Sequence, residues 1–346
     1  MTATPTLPPT VQRGPLSRRR VLGATVAALA LPAACVLSVL VGSRPIGIDD
    51  LAHALFTPTG SPTDTIVAEL RVSRTVVALL VGAALGVAGT LIQALTRNPL
   101  GDPGILGVNA GAAFFVAVAV GAFGIGTARG YLWFAFVGAL AVTVVVYLIG
   151  ASGRRGVDPL RMTLAGVAVG AVLSGITTAL MLIDPVSFVK LRGWDAGSIV
   201  ERGPEVYLPV LPFLGVGIVI ALALAAPLNA LGLGDDLAAT LGARVARTRI
   251  LAVVAITLLA GGATAIAGPI LFVGLMVPYV ARWIAGPDQR WTLSLSLVIG
   301  PTVLLLSDVL GRVVLAPGEV PVGVVTAFVG APVLIAVVRR SRMRSL

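Results

Sequence analysis

Apolar residues in this chain come in long unbroken runs, and the polar residues between them form short clusters rich in arginine. The runs lack both the alternation of a half-buried strand and the narrow stripe of a soluble amphipathic helix. Most approach the roughly 20 residues that a helix needs to cross a bilayer. Ten runs are predicted to be helices, at about 21–41, 71–96, 105–125, 131–150, 161–183, 207–228, 248–267, 270–285, 291–314 and 321–339. The expected fold is all-α and polytopic, with one transmembrane domain over residues 21–340 and tails at 1–20 and 341–346. The N-terminal tail opens with a Pro/Thr-rich stretch and is read as disordered. Ser17-Arg18-Arg19-Arg20 before Val21–Val41 imitates a twin-arginine signal, and Leu31-Pro32-Ala33-Ala34-Cys35 faintly imitates a lipoprotein cleavage site. Pro32 stands where such a site wants a large aliphatic residue, and the run exceeds the usual apolar core of about 7–15 residues. A first transmembrane helix is the simpler reading.

Ten spans put both ends of the chain on one side, and the basic residues say which. Seventeen of the 25 lysines and arginines fall on the side of the N-terminus, including Arg18, Arg19, Arg20, Arg97, Arg249, Arg282 and Arg290. The other side holds Arg44, Arg71, Arg74, Arg129, Lys190, Arg192, Arg202 and Arg312. By the positive-inside rule both termini are cytoplasmic.

Composition closes off other classes. With 57% hydrophobic and 12% charged residues and a mean hydropathy of +1.01, the chain cannot present a solvated surface as a soluble protein. The net charge of +10 is scattered between apolar runs and forms no basic stripe, so nucleic acid is not an expected partner. Cys35 is the sole cysteine and His53, read as solvated in a polar loop over 42–69, the sole histidine, so no metal or cofactor is expected. There is no GxxxxGK[ST] loop, and the one lysine, Lys190, is predicted to be external. The chain therefore cannot cradle nucleotide phosphates in that way, and ATP would have to act through another subunit. It offers no Ser/His or paired-acid constellation within the bilayer and is not expected to be an enzyme. Small-residue spacings (Gly82, Gly86, Gly89; Gly166, Gly170, Gly175; Gly261, Gly262) predict close helix packing.

Several local patterns carry chemistry. Arg71 and Arg74 share a helical face before Thr75–Leu95, which ends at Thr96-Arg97-Asn98-Pro99 and the turn Gly101-Asp102-Pro103-Gly104. Asp308 and Arg312 lie i, i+4, where a neutralising pair is the simplest reading, and Glu319-Val320-Pro321-Val322-Gly323 follows. The 228–249 loop contains a short helix, Leu237–Leu241, predicted to be capped by Gly234-Asp235-Asp236 and closed by Gly242. Leu237 and Leu241 fall on one side of it, suiting either a membrane surface or a groove on a partner. Gly268-Pro269-Ile270-Leu271-Phe272-Val273-Gly274-Leu275 runs on to Pro278 and Arg282, and Gly286-Pro287-Asp288-Gln289-Arg290 comes next. Trp194-Asp195-Ala196-Gly197-Ser198 precedes the sixth run.

In this order the patterns resemble the permease subunit of the type II ABC importers that bacteria use for ferric siderophores, haem and cobalamin. Tyr279 and Gln289 depart from the family pattern, which commonly has histidine at both positions. The resemblance implies a multi-pass permease of the bacterial cytoplasmic membrane, with spans two to five related to seven to ten by inverted pseudo-symmetry. It implies two cytoplasmic ATPase subunits, contacted through Gly234, Asp235, Leu237, Ala238, Leu241 and Gly242. An external substrate-binding (lipo)protein would dock its carboxylates on Arg71, Arg74 and Arg312, for which plain interfacial anchoring is the alternative. A second permease subunit, identical or a paralogue, would share a path lined by Gly166, Gly170 and Ser174, with Arg161 and Thr163 near the inner gate. The Trp194–Ser198 signature favours a ferric chelate, with cobalamin or haem as alternatives. A proton- or sodium-coupled transporter would need paired intramembrane acids, and Asp308 alone approaches that position.

Overall fold

The computed structural model describes residues 18–42, 47, 66–152, 158–185 and 189–342. The expected disorder of the first residues, the solvated His53, the loop arginines 44, 154 and 155, and the last four residues lie outside the described residues. Helix α1 (Arg18–Leu40) is followed by a π-helical turn (Ile66–Val72) that feeds α2 (Ser73–Thr96). A 3-10 turn (Pro103–Leu106) precedes α3 (Val108–Phe123), and α4 (Ala128–Ala151) and α5 (Pro159–Ile183) complete the first half. Short α6 (Val189–Asp195) and α7 (Pro204–Tyr207) lead through a 3-10 turn to α8 (Leu211–Ala223) and α9 (Ala225–Leu231). Then come α10 (Asp235–Thr240), α11 (Val245–Ala267), α12 (Val273–Ala285), α13 (Gln289–Val314) and α14 (Val322–Arg342). Among the described residues there is no strand.

Seven helical stretches of the described chain are long and apolar enough to cross a membrane: Arg18–Leu40, Leu70–Thr96, Ala128–Ala151, Pro159–Ile183, Pro204–Ala223, Val245–Ala267 and Gln289–Val314. Three shorter apolar helices, Val108–Phe123, Val273–Ala285 and Val322–Ile335, occupy the places of the third, eighth and tenth predicted runs. Two of them start later than their apolar runs for a backbone reason. Asp102 accepts a hydrogen bond from the Gly104 N–H and caps a single 3-10 turn, which Gly107 breaks at φ 76° before α3 begins. In the second half Gly268 (φ 75°), Pro269 and Phe272 (φ 68°) hold the chain out of a helix until Val273.

The core is built on α2 and α11, whose apolar windows are each 78% buried. Helix α13 crosses α2 with almost no side chain between them: a Cβ at Gly82 would lie 2.6 Å from the Pro301 Cα, and one at Gly89 would overlap the backbone of Gly274 on α12. The Thr90 and Ser296 hydroxyls bond across this contact at 2.9 Å. Small residues are used as expected here, because close backbone approach maximises dispersion contacts where lipid offers no hydrophobic driving force. On α5 the pattern divides. Gly166 packs so tightly against Ile105 that a Cβ would overlap its carbonyl, whereas Gly175 has no atom of this chain within 4 Å of a would-be Cβ. Each half repeats one order: a long buried helix (α2, α11), a proline-bearing break, a short helix (α3, α12) and two more apolar helices (α4–α5, α13–α14).

Candidate functional site

Polar groups concentrate at the two ends of the bundle. At one end the C-terminus of α1 meets the start of α2 and the end of α13. Carbonyls in the last turn of a helix have no partner within it, and two arginines supply donors. Arg71 Nη1 donates to the carbonyls of Val39 (2.7 Å) and Leu40 (2.9 Å). Arg312 Nη1 donates to those of Ser38 (2.8 Å) and Val41 (2.7 Å), while its Nη2 reaches Ser38 Oγ (3.0 Å) and Asp308 (2.6 Å). A cation at a helix C-terminus also suits the helix dipole. Arg74 forms a two-pronged pair with Glu319 and stands 3.8 Å from Asp308. Arg74's hydrogen bond first, then the positive charges of Arg74 and Arg312, outweigh burial and hold the Glu319 carboxyl below its usual range.

Thus the structure brings Arg71, Arg74 and Arg312 to one end, as their predicted sidedness requires, and the Asp308–Arg312 pair forms as the i, i+4 spacing suggests. It also revises their availability: Arg71 and Arg312 are 6% and 2% exposed and turned onto α1, so neither presents an open docking fork. Glu319, with its side chain 31% exposed, is the member of the cluster that reaches the surface. Ser38 was not legible as a participant, since a serine within an apolar run carries no signal of its distant partner.

The Trp194–Ser198 segment lies at this end and acts as a packing clamp. Trp194 is buried with its ring edge-on to Tyr131. The Ser198 N–H donates to the Ala267 carbonyl (2.8 Å) and the Gly323 N–H to the Gly197 carbonyl (2.9 Å), joining the end of α11 to the start of α14. Gly197 (φ 73°) and Gly268 (φ 75°) sit where a side chain would strike backbone.

At the opposite end, α10 is a single short helix with two exposed leucines at its outer side. Ala238 is fully buried beneath it, while Leu237 and Leu241 are 56% and 66% exposed. Its C-terminus closes as predicted: the N–H groups of Gly242 (φ 82°) and Ala243 return to the carbonyls of Ala239 and Ala238. Its N-terminus does not follow the predicted cap. No side chain caps it at Gly234; the Asp235 carboxylate instead pairs with Arg97 at the end of α2 and with Arg249 on α11, the latter at 2.8 Å. Arg97 Nε also donates to the Leu231 carbonyl at 2.9 Å. Arg97 was visible only as a polar stop after an apolar run.

Beside α10 is a cavity of about 530 Å³, lined among others by Gln93, Asn229, Leu233, Arg282, Asp288 and Gln289. Arg282 donates to Gln93 Oε1, and Gln93 Nε2 donates to the carbonyls of Gly101 (3.1 Å) and Leu275 (3.2 Å). Burial would raise the Asp288 carboxyl, but the Asn229 amide, the Arg290 N–H and the charges of Arg290 and Arg20 together hold it below its usual range.

Along α5 the predicted path residues part company. Arg161 is exposed and pairs with Asp158 at 3.7 Å, and the Thr163 hydroxyl donates to the Pro159 carbonyl. Ser174 is exposed, and a Cβ at Gly170 would meet only Ala110. Gly166 is buried against Ile105 and so is not part of an open wall, a correction to the predicted lining. Large side chains on the same helix, Leu164, Val167, Val172 and Leu182, are more than half exposed.

The model of the FecCD transport family matches residues 30–340. The chain belongs to that family. It is 47% identical over 313 residues, covering 90% of this chain and 93% of the relative, to the ferric enterobactin transport system permease protein FepD of Escherichia coli K12. It is 40% identical over 308 residues, 88% and 91% of the two chains, to the Fe(3+)-citrate import system permease protein YfmD of Bacillus subtilis 168. A solved structure described as an inward-facing metal-chelate-type ABC transporter is similar with a TM-score of 0.79 at 25% identity, covering 92% of this chain and 99% of that one. As a FecCD protein the chain is a multi-pass membrane permease and not itself an enzyme.

Proposed function

We propose that this FecCD permease forms the membrane channel of an ATP-driven importer for a ferric siderophore, with ten spans and both termini in the cytoplasm of a bacterium. The iron-chelate cargo of its relatives supports the substrate class, and the arginine asymmetry supports the orientation. The observation that carries the mechanism is the α10 ridge. Two bare leucines project from a helix that Asp235 ties to both α2 and α11, the two most deeply buried helices. An ATPase subunit gripping Leu237 and Leu241 would therefore pull on the core of the bundle through Arg97 and Arg249. Two such subunits, one for each of two permeases, would drive alternating access.

On the outer face, the binding protein would meet Glu319 and Arg74 first. Arg71 and Arg312 would join by exchanging the carbonyls of α1 for incoming carboxylates, which makes the end of α1 part of docking. The open face of α5, with Gly170, Ser174 and Gly175, is where the second permease and the shared path belong. Arg161 and Thr163 would sit at its inner mouth, with Gly166 holding α5 in place.

Reconstitution in proteoliposomes with the ATPase subunits inside and the binding protein outside tests the reading. Accumulation of a labelled ferric siderophore should require ATP and the binding protein. Uptake that follows an ion gradient and ignores ATP, or accumulation by the permease alone, would reject it.

A further inference from the structure

A second feature of this chain is unrelated to cargo. An apolar groove of about 400 Å³ runs between the first turns of α1 and the last turns of α12, lined by Leu22, Val26 and Ala30 on one wall, Val280 and Trp283 on the other, and Ile299 of α13. Gly23 closes its floor, because α1 meets Ile284 there with no room for a side chain. One end of the groove is cationic. Arg18 and Arg19 are exposed at the first turn of α1, and Arg19 is held 4.6 Å above the centre of the Trp283 ring. Arg20 is half-buried and turned toward Gly286 and Asp288, whose charge it offsets, so Arg19 is the arginine that lines the rim, with exposed Arg18 beside it in the chain.

We infer that this groove is a binding site for an anionic phospholipid, with one acyl chain along α1 and α12 and the phosphate on Arg18 and Arg19. The occupant follows from the chemistry of the two ends. A trough that is apolar along its length and cationic at one end, at the interface marked by Trp283, complements an acyl chain bearing a negative headgroup. A packed protein helix would match the apolar walls but would cover the Arg19 guanidinium at the mouth without supplying a counter-charge. Stacking on Trp283 fixes Arg19 at the mouth, reducing the side-chain freedom that headgroup capture would otherwise remove. The site requires only that the chain lies in a bilayer. It holds or fails independently of which solute is carried and of which end is cytoplasmic.

The test uses the full chain, reconstituted with its ATPase subunits in phosphatidylcholine vesicles, and reads Trp283 fluorescence as the difference from a Trp283→Phe variant. Lipids brominated in the acyl chain quench the indole on contact. Brominated phosphatidylglycerol should occupy the groove about 25-fold more strongly than brominated phosphatidylcholine, roughly fivefold for each arginine. Arg18→Gln and Arg19→Gln should each reduce that preference about fivefold, and Arg19→Lys should keep most of it. Ala30→Phe, which fills the groove without altering charge, should abolish the preference while the thermal midpoint stays unchanged. Equal quenching by the two lipids would overturn the assignment. So would a preference that survives Ala30→Phe, which would show general attraction to a basic surface. Absence of quenching by either lipid would also overturn it, showing that protein covers the groove.

Discussion

Replacing Arg312 with leucine tests whether this arginine is a staple of the fold in addition to its proposed part in docking. In the native arrangement its two nitrogens bond four oxygens: the Ser38 and Val41 carbonyls, the Ser38 hydroxyl and the Asp308 carboxylate. The Arg312→Leu change strands Asp308, 5% exposed, with Arg74 at 3.8 Å as its remaining ionic neighbour, and removes the donor to the Ser38 and Val41 carbonyls. Breaking a buried pair in this way costs about 3–5 kcal/mol, most of it the penalty of an uncompensated charge. A loss of that size lowers the thermal midpoint of the detergent-purified protein by on the order of 10 °C. The double change Asp308→Leu with Arg312→Leu should recover about half of the loss. It removes the stranded acid but still leaves the Ser38 and Val41 carbonyls without the Arg312 donor, a loss worth about 1–3 kcal/mol when buried. A single variant within about 2 °C of the native midpoint, less than 1 kcal/mol would produce, refutes the staple. Failure of that same variant to capture the binding protein would leave docking as the whole role of Arg312.

Four other expectations follow from the structure. Leu237→Asp with Leu241→Asp should abolish ATP-driven uptake while leaving the midpoint near native, because both side chains are already exposed; normal uptake in transport assays would show that the α10 ridge grips nothing. Glu319 has a lowered carboxyl in the folded protein against an ordinary value of 4.5, so the pairing with Arg74 contributes stability above about pH 4.5 that is lost as pH falls through the lowered value. Melting curves between pH 6 and pH 3 should lose part of their acid sensitivity in Glu319→Gln, and identical acid sensitivity would remove Glu319 from the account. Gly89→Ala should destabilise by about 1–3 kcal/mol, since the added methyl overlaps the Gly274 backbone. Gly175→Ala should be neutral in the isolated chain but impair assembly if a second permease packs on α5, which size measurements of the complex would reveal.

Much of the membrane architecture was legible because hydropathy is a local property. A run such as Thr75–Leu95 or 250–267 is apolar nearly all round, and no neighbour is needed to know that it leaves water. Which arginines share an end of the bundle was legible for a similar reason, since arginines between runs are excluded from hydrocarbon wherever the helices pack. The motif order around Arg71–Gly104, 228–249 and Gly268–Arg282 carried the family. The structure then gathers Arg97, Asp235, Arg249 and Arg282 at one end and Arg71, Arg74, Arg312 and Glu319 at the other, in agreement with the predicted partition.

What the sequence determined on its own, then, was the order of apolar segments, their membrane character and the family. Tertiary structure decided which way each polar side chain points and whose backbone it serves. Arg71 and Arg312 became caps for α1, from 31 and 274 residues away along the chain. Asp235 left its own helix for Arg97 and Arg249, and Gly166 became a contact with Ile105 instead of an open wall. The physical reason is that composition measures the cost of leaving water, whereas a buried hydrogen bond depends on geometry between segments that approach each other only after the bundle has closed.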